Sequence, residues 1–250
     1  MPSATAAARS LTPFASGVLL DVAFGLRRVQ HAHAIAIGCG LIVAADRLVQ
    51  APGGPVDWTE VDDDVFSDDT VAASADAFKL LVIWRPGEER ERARVVRAFV
   101  DACRRHRRAA IVEGIVRDAD NASPRPSRHA VAVIEAAAEL TAFGPDLYKA
   151  EVPTLGAGTD GEIRAASTRL SAAIAGPWVV LSNGTAAERF PEAMRAAVRG
   201  GASGFLAGRA IWSNSTSAPD VVAHLQTVAV PRLRSMAEAV DRDLAARQPR

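Results

Sequence analysis

Short apolar runs rich in β-branched residues alternate along this chain with longer segments of helical period, and that alternation restricts the fold more than any other feature. The runs are GVLLD (17–21), CGLIVAA (39–45), FKLLVIW (78–84), AAIVEGI (109–115), LYKAEV (147–152), WVVLSN (178–183) and GFLAGRA (204–210). Between them lie segments such as EERERARVVRAFVDACRRH (88–106), RHAVAVIEAAAELTAF (128–143), GEIRAASTRLSAAI (161–174) and AERFPEAMRAAVRGG (187–201), whose apolar residues recur every three and four positions. Strands that are apolar on both faces, each followed by an amphipathic helix, describe a parallel sheet covered by helices. The class is therefore α/β.

Two architectures satisfy that description. A doubly wound open sheet usually carries a glycine-rich turn after its first strand, and GVLLDVAFG is not one. A TIM (β/α)8-type barrel fits the length of 250 residues as a single domain, although seven strands are read where eight are needed. Residues 50–76, with QAPGGPVDWTEVDDDVFSDDT, and 117–127, RDADNASPRPS, are rich in turn-formers and are read as loops. Both follow strands, on the side of a barrel where active sites are built.

Composition removes several classes of function. Lys+Arg and Asp+Glu are equal at 29 each, which leaves no electrostatic footprint for nucleic acid or an anionic membrane. No apolar span of about 18 residues occurs, and MPSATAAARSLTPFAS lacks the apolar block of a secretory signal. The expectation is a soluble cytoplasmic protein. Cys39 and Cys103 have neither zinc-site nor disulfide spacing and are read as free thiols.

Of the 29 Lys and Arg side chains only two are lysines, and both sit inside strands: Lys79 in FKLLVIW and Lys149 in LYKAEV. A strand lysine pointing into an apolar barrel loses hydration of its ammonium form, so its pKa falls, and a second nearby cation pushes it further down. Both positions are thus expected to approach a free amine near neutral pH. A primary amine can add to a ketone and form a Schiff base, which an always-protonated guanidinium cannot. Glu113, in AIVEGIV, is a carboxylate inside an apolar strand, an uncommon place unless it is paired. If strands follow chain order, Lys79, Glu113 and Lys149 occupy three consecutive staves and meet in one pocket, with Glu113 as proton shuttle. Asp21, closing the first strand, and Glu151, sharing the face of Lys149, are candidates for supporting carboxylates.

The last two runs end in LSNGT (181–185) and AGRAIW (207–212). Small residues let backbone N–H groups approach a phosphate, a following helix N-terminus adds positive potential, and the loops after the last two strands are the usual barrel phosphate site. Ser182, the Asn183-Gly184 backbone and Gly208 are the candidate cradle. Arg209 is the candidate bidentate cation.

At this point the chain resembles a known family, the class I aldolases of the tagatose 1,6-bisphosphate and sulfofructosephosphate type. The resemblance runs through LTPFASGVLLD, IVAAD, FKLLVIWR, IVEGIVR, DLYKAEVP, WVVLSNGTAAERFPEAMRAAVRGGASGFLAGRAIWS and VAVPRLRSMAEAVD, covering about residues 10–245. The tail and GASGFLAGRA are closer to the sulfofructosephosphate branch. The resemblance implies a (β/α)8 barrel, a homo-oligomer, and neither metal nor cofactor. It implies a Schiff base on Lys149, acid/base work by Glu113, a matching strand lysine at Lys79, and phosphate held by Ser182, Asn183, Gly184, Gly208 and Arg209. The family often reads Ser-Ser-Gly or Ser-Ala-Gly where Asn183 stands here, and tends to place proline where Gly114 stands. Family members also begin with a further strand carrying an Asp-Gln-Arg type motif. Its absence here accounts for the seven, and leads to residues 1–250 being read as one N-terminally incomplete aldolase-type domain, its gap open to a partner chain or to the N-terminal tail.

The function expected is cleavage of a ketose 1-phosphate, with 6-deoxy-6-sulfofructose 1-phosphate as the candidate, to dihydroxyacetone phosphate and a three-carbon aldehyde. Three rivals stay open: a tagatose 1,6-bisphosphate-type aldolase, an inactive barrel that binds sugar phosphates or a partner, and a phosphosugar isomerase with Glu113 as base and Lys149 purely electrostatic.

Overall fold

The computed structural model describes residues 4–247 other than 121, 123 and 124, so part of the 117–127 loop lies outside the described residues. The first six runs become strands: β1 Gly17–Leu20 and β2 Gly40–Ala44, then, after the hairpin β3 Asp46–Gln50 and β4 Val56–Val61, β5 Ala77–Trp84, β6 Ala109–Val116, β7 Leu147–Glu151 and β8 Trp178–Leu181. All pairs in the main sheet are parallel, in the order β1-β2-β5-β6-β7-β8. The sheet curls into an incomplete barrel, the α/β architecture read from the alternation.

Parity along each strand separates two environments. Phe78, Leu80, Val82, Val112, Tyr148, Ala150 and Val180 are buried in the main core. There the helices Glu89–His106 and Pro126–Thr141 pack against β5, β6 and β7. The alternate residues Ile83, Ile115 and Leu181 form a separate small cluster with Leu81 and Val56 inside the curl. Lys79, Glu113, Lys149 and Glu151 share that inner parity, because successive side chains of a strand point to opposite faces. The outer face explains Gly114: a Cβ added there would stand 2.1 Å from the Tyr148 hydroxyl oxygen and 3.2 Å from Leu140 Cδ1.

Two readings of the sequence need correction. The seventh run, 204–210, is not a full strand. It contributes one parallel bridge, Phe205 to Val180, in which Val180 donates to Gly204 and Leu206 donates to Val180, and the chain then turns into the helix Arg209–Trp212. Glycine at 204 and 208 gives the backbone little reason to stay extended, and no strand flanks the segment on its other side among the described residues.

Residues 50–76 are not a plain loop. APGGP, with Gly53 at φ +73°, is the turn of the β3–β4 hairpin, and two short helices follow, Asp63–Ser67 and Asp69–Ser74. Asp68 caps the second by accepting from the backbone N–H groups of Thr70 and Val71. The hairpin is tied to β5, since Thr59 donates to the Leu81 carbonyl and Arg85 to the Asp57 carboxylate.

The N-terminal tail is helical. Residues Ala4–Leu11 form a helix that packs against both the helical turns after β1 and the C-terminal helices, with Ala8 buried beside Val29 and Ala34. β1 and the Phe205 segment are therefore the two ends of the sheet, and every residue of β1 is only half-buried.

Candidate active site

Strand register brings the charged residues together. Glu113 on β6 is the direct partner of Lys149 on β7, while Lys79 lies two residues before Leu81, the partner of Glu113 on β5. The Lys149 ammonium nitrogen Nζ is 2.8 Å from Glu113 Oε1, and Lys79 Nζ is 3.5 Å from Glu113 Oε2. One carboxylate thus spans both amines, as expected from three consecutive staves. The three side chains are 8–10 % exposed, little enough to strip most of the water from them.

A fourth member, Asp46, is absent from the sequence reading. Its Oδ2 accepts from Lys79 Nζ at 2.6 Å and from the Leu81 backbone N–H at 2.8 Å, and the side chain is 4 % exposed. The signal was available in IVAAD: a carboxylate immediately after an apolar strand, at the strand end where barrels carry chemistry. What the sequence does not say is that Asp46 leans back over β5. Asp21, at the end of β1, is more exposed and sits close enough to feel Lys79 and Asp46. Partial enclosure raises its pKa against the pull of Lys79.

These neighbours divide the two lysines, and the expectation that both become free amines holds for one alone. Burial lowers the pKa of Lys149, and Lys79 adds to that effect, while Glu113 opposes it without reversing it. Burial acts the same way on Lys79, yet Glu113, Asp46 and Asp21 outweigh it and hold its pKa above the ordinary lysine value. Lys79 stays an ammonium. For Glu113 burial pushes upward, but Lys149 and Lys79 together bring its pKa below the usual glutamate value. The arrangement contains one cation, Lys79, the carboxyl groups of Asp46 and Glu113 that flank it, and one amine, Lys149, whose proton is loosened.

Glu151 points elsewhere. It is 1 % exposed, one oxygen accepts from the Val116 backbone N–H at 2.9 Å, and the other accepts from Asn183 Nδ2 at 2.8 Å. Burial raises its pKa to about 7. Asn183 in turn accepts through Oδ1 from Arg209 Nη2 at 3.3 Å. Ser182, Asn183, Gly184, Thr185 and Arg209 line one cleft. Gly208 precedes Arg209 and packs against the Trp212 indole, where a Cβ would stand 3.1 Å from Nε1.

Gly184 has φ +73°, and a Cβ there would lie 2.6 Å from Leu155 Cδ2, so glycine is required for both conformation and space. The helix termini expected beside the cleft contribute little. The helix after Gly208 is a single turn, and the one after β8 starts only at Phe190. Among the described residues no group of three or more His, Cys, Asp and Glu is arranged to hold a metal ion, and none of the helices is long and apolar enough to cross a membrane.

Comparison with known proteins bears on the family and the fold. The chain is 30% identical over 233 residues to tagatose 1,6-diphosphate aldolase 1 of Enterococcus faecalis, covering 82% of this chain and 69% of that protein. Its fold is similar to that of fructose-bisphosphate aldolase from Plasmodium falciparum, with a TM-score of 0.70 at 16% identity over 96% of this chain and 83% of that one. It is also similar to an archaeal fructose-1,6-bisphosphate aldolase whose catalytic lysine is covalently bound to the carbinolamine intermediate of the substrate, with a TM-score of 0.61 at 15% identity over 90% and 78% of the two chains. The sequence pattern of the DeoC/LacD family aldolases matches residues 3–214. With its lysine–glutamate pair inside a curled parallel sheet, the chain belongs to the DeoC/LacD family of aldolases.

Proposed function

We propose that this chain cleaves a ketose 1-phosphate to dihydroxyacetone phosphate and a three-carbon aldehyde through a Schiff base on Lys149. The observation that carries the reading is the 2.8 Å contact between Lys149 and Glu113 inside the curl, with Lys79 at 3.5 Å from the same carboxylate. Glu113 accepts the proton that Lys149 sheds, and the free amine adds to the C2 ketone. The carbinolamine loses its hydroxyl as water, with Glu113 returning the proton, and leaves a protonated imine. Glu113, ionised again, then takes the C4 hydroxyl proton as the C3–C4 bond breaks, the electron pair passes into the enamine, and the aldehyde departs. Protonation at C3 and hydrolysis release dihydroxyacetone phosphate and regenerate the amine. Lys79, held by Asp46, keeps the proton affinity of Lys149 low and faces a substrate hydroxyl.

Ser182, the backbone at Asn183 and Gly184, Gly208 and Arg209 receive the phosphate, a role supported by the cleft that most of them line. The substrate we favour is 6-deoxy-6-sulfofructose 1-phosphate, on the resemblance of the GASGFLAGRA run and the tail. The Enterococcus faecalis relative supports tagatose 1,6-bisphosphate as the second candidate. A homo-oligomer, by resemblance, and a cytoplasmic location, by the sequence pattern, complete the reading.

Release of dihydroxyacetone phosphate from each ketose phosphate, followed in a coupled assay for the wild type and Lys149→Arg, tests it. The arginine keeps the charge and loses the nucleophile, so cleavage should vanish. Wild-type turnover in that variant excludes the mechanism, and a higher kcat/KM for tagatose 1,6-bisphosphate replaces the substrate.

A further inference from the structure

Glu151 is the buried carboxylate that the cleavage steps leave unused. Its hydrogen bonds fix it completely: Val116 N–H takes one oxygen and Asn183 Nδ2 takes the other. Once ionised, above its pKa of about 7, Glu151 only accepts, so there the Asn183 amide turns its NH2 toward Glu151 and its oxygen the opposite way. That oxygen meets Arg209 Nη2 at 3.3 Å.

The backbone beneath Asn183 is also held. Gly184 presses on Leu155, a Cβ at Gly156 would stand 2.6 Å from Thr185 Cγ2, and Arg189 donates to the Gly156 and Gly158 carbonyls, locking the loop after β8 to the loop after β7. Arg209 itself is exposed and begins a one-turn helix, so without a partner its long side chain would sample many rotamers.

We infer that Glu151 is the positioning residue of the phosphate end: it fixes the Asn183 amide so that the amide oxygen holds the Arg209 guanidinium at the cleft, ready for a phosphomonoester. The inference rests on the reading of that cleft as the phosphate site. It separates two carboxylates on neighbouring strands by task, Glu113 for the amine and Glu151 for the anion.

Calorimetric titration of the full chain with inorganic phosphate tests it, across Glu151→Met, Asn183→Ala, their double variant and Arg209→Ala. Either of the first two is expected to weaken phosphate by about tenfold, the scale of one charge-assisted contact. The double variant should be no weaker than the worse single one, because both break the same relay. In cleavage assays the KM for the ketose phosphate should rise with kcat changed less than KM.

If Arg209→Ala weakens phosphate and Glu151→Met does not, the relay is wrong and the phosphate site stands. If Arg209→Ala leaves phosphate binding unchanged, the phosphate reading fails and takes the relay with it. Additive losses in the double variant also overturn the relay. Should Glu151→Met not fold, wild-type phosphate binding by Asn183→Ala is sufficient to reject it.

Discussion

Replacing Glu151 by glutamine should change how stability responds to pH, and the size of the change follows from burial. The carboxyl titrates at 4.5 in ordinary surroundings and at about 7 in the folded chain, chiefly because burial disfavours its charge. Between those values the folded state binds more protons at this site than the unfolded state. Stability therefore falls as pH rises through the window, by about 1.4 kcal/mol per pH unit and about 3 kcal/mol in all. Below the window Glu151 is neutral in both states and carries no penalty, whereas above it the full cost of a buried carboxylate is present.

Glutamine does not titrate. Its amide mismatches either the Val116 or the Asn183 donor and adds an offset, but an offset does not alter a slope. Thermal melts of wild type and Glu151→Gln, recorded by circular dichroism from pH 4.5 to pH 8, should show the wild type losing about 6–12 °C relative to the variant across that range, at about 2–4 °C per kcal/mol for a chain of this size. Parallel Tm profiles would mean that Glu151 titrates as an exposed glutamate, and the burial argument would be wrong.

Two further outcomes follow from the site and its backing. Lys79→Met removes a cation that lowers the proton affinity of Lys149 and frees Glu113 to pair with Lys149 alone. The acid limb of the kcat/KM–pH profile should move to higher pH, and a limb that stays put or moves lower contradicts the division of roles between the lysines. Gly114→Ala drives a methyl into the Tyr148 hydroxyl. Urea denaturation should show a loss of about 1–3 kcal/mol, as for other overpacked cores, and an unchanged midpoint would show that Tyr148 swings aside freely.

Much of this was legible in the sequence because burial on both faces leaves a plain mark. FKLLVIW at 78–84 is β5 within one residue, and AAIVEGI at 109–115 is β6 within one, since a strand covered by helices outside and side chains inside has no polar position to spare. The same plainness exposed the candidate site: Lys79, Glu113 and Lys149 stand out because Glu151 is the one other charged residue in those strands. The parts that were hidden depend on contacts remote in sequence. The β3–β4 hairpin is masked by the prolines and glycines of its own turn, and GFLAGRA looks like a strand although it finds a neighbour on one side only. The charge of Lys79 is set by Glu113, Asp46 and Asp21, from three different elements. Strand parity places Glu151 on the face of Lys149, but only the position of Asn183 shows that it serves the other end of the site.

Condensation of the Lys149 amine with a ketone leaves an imine, and chemical trapping reads that bond itself. Incubating the full chain with dihydroxyacetone phosphate and sodium borohydride reduces any imine to a stable secondary amine, which intact-mass and peptide-mapping mass spectrometry then locate. One added three-carbon phosphate unit per chain is expected on the peptide bearing Lys149, and none in Lys149→Arg. An adduct on Lys79 instead, or no adduct under conditions where inorganic phosphate binds, would contradict that condensation.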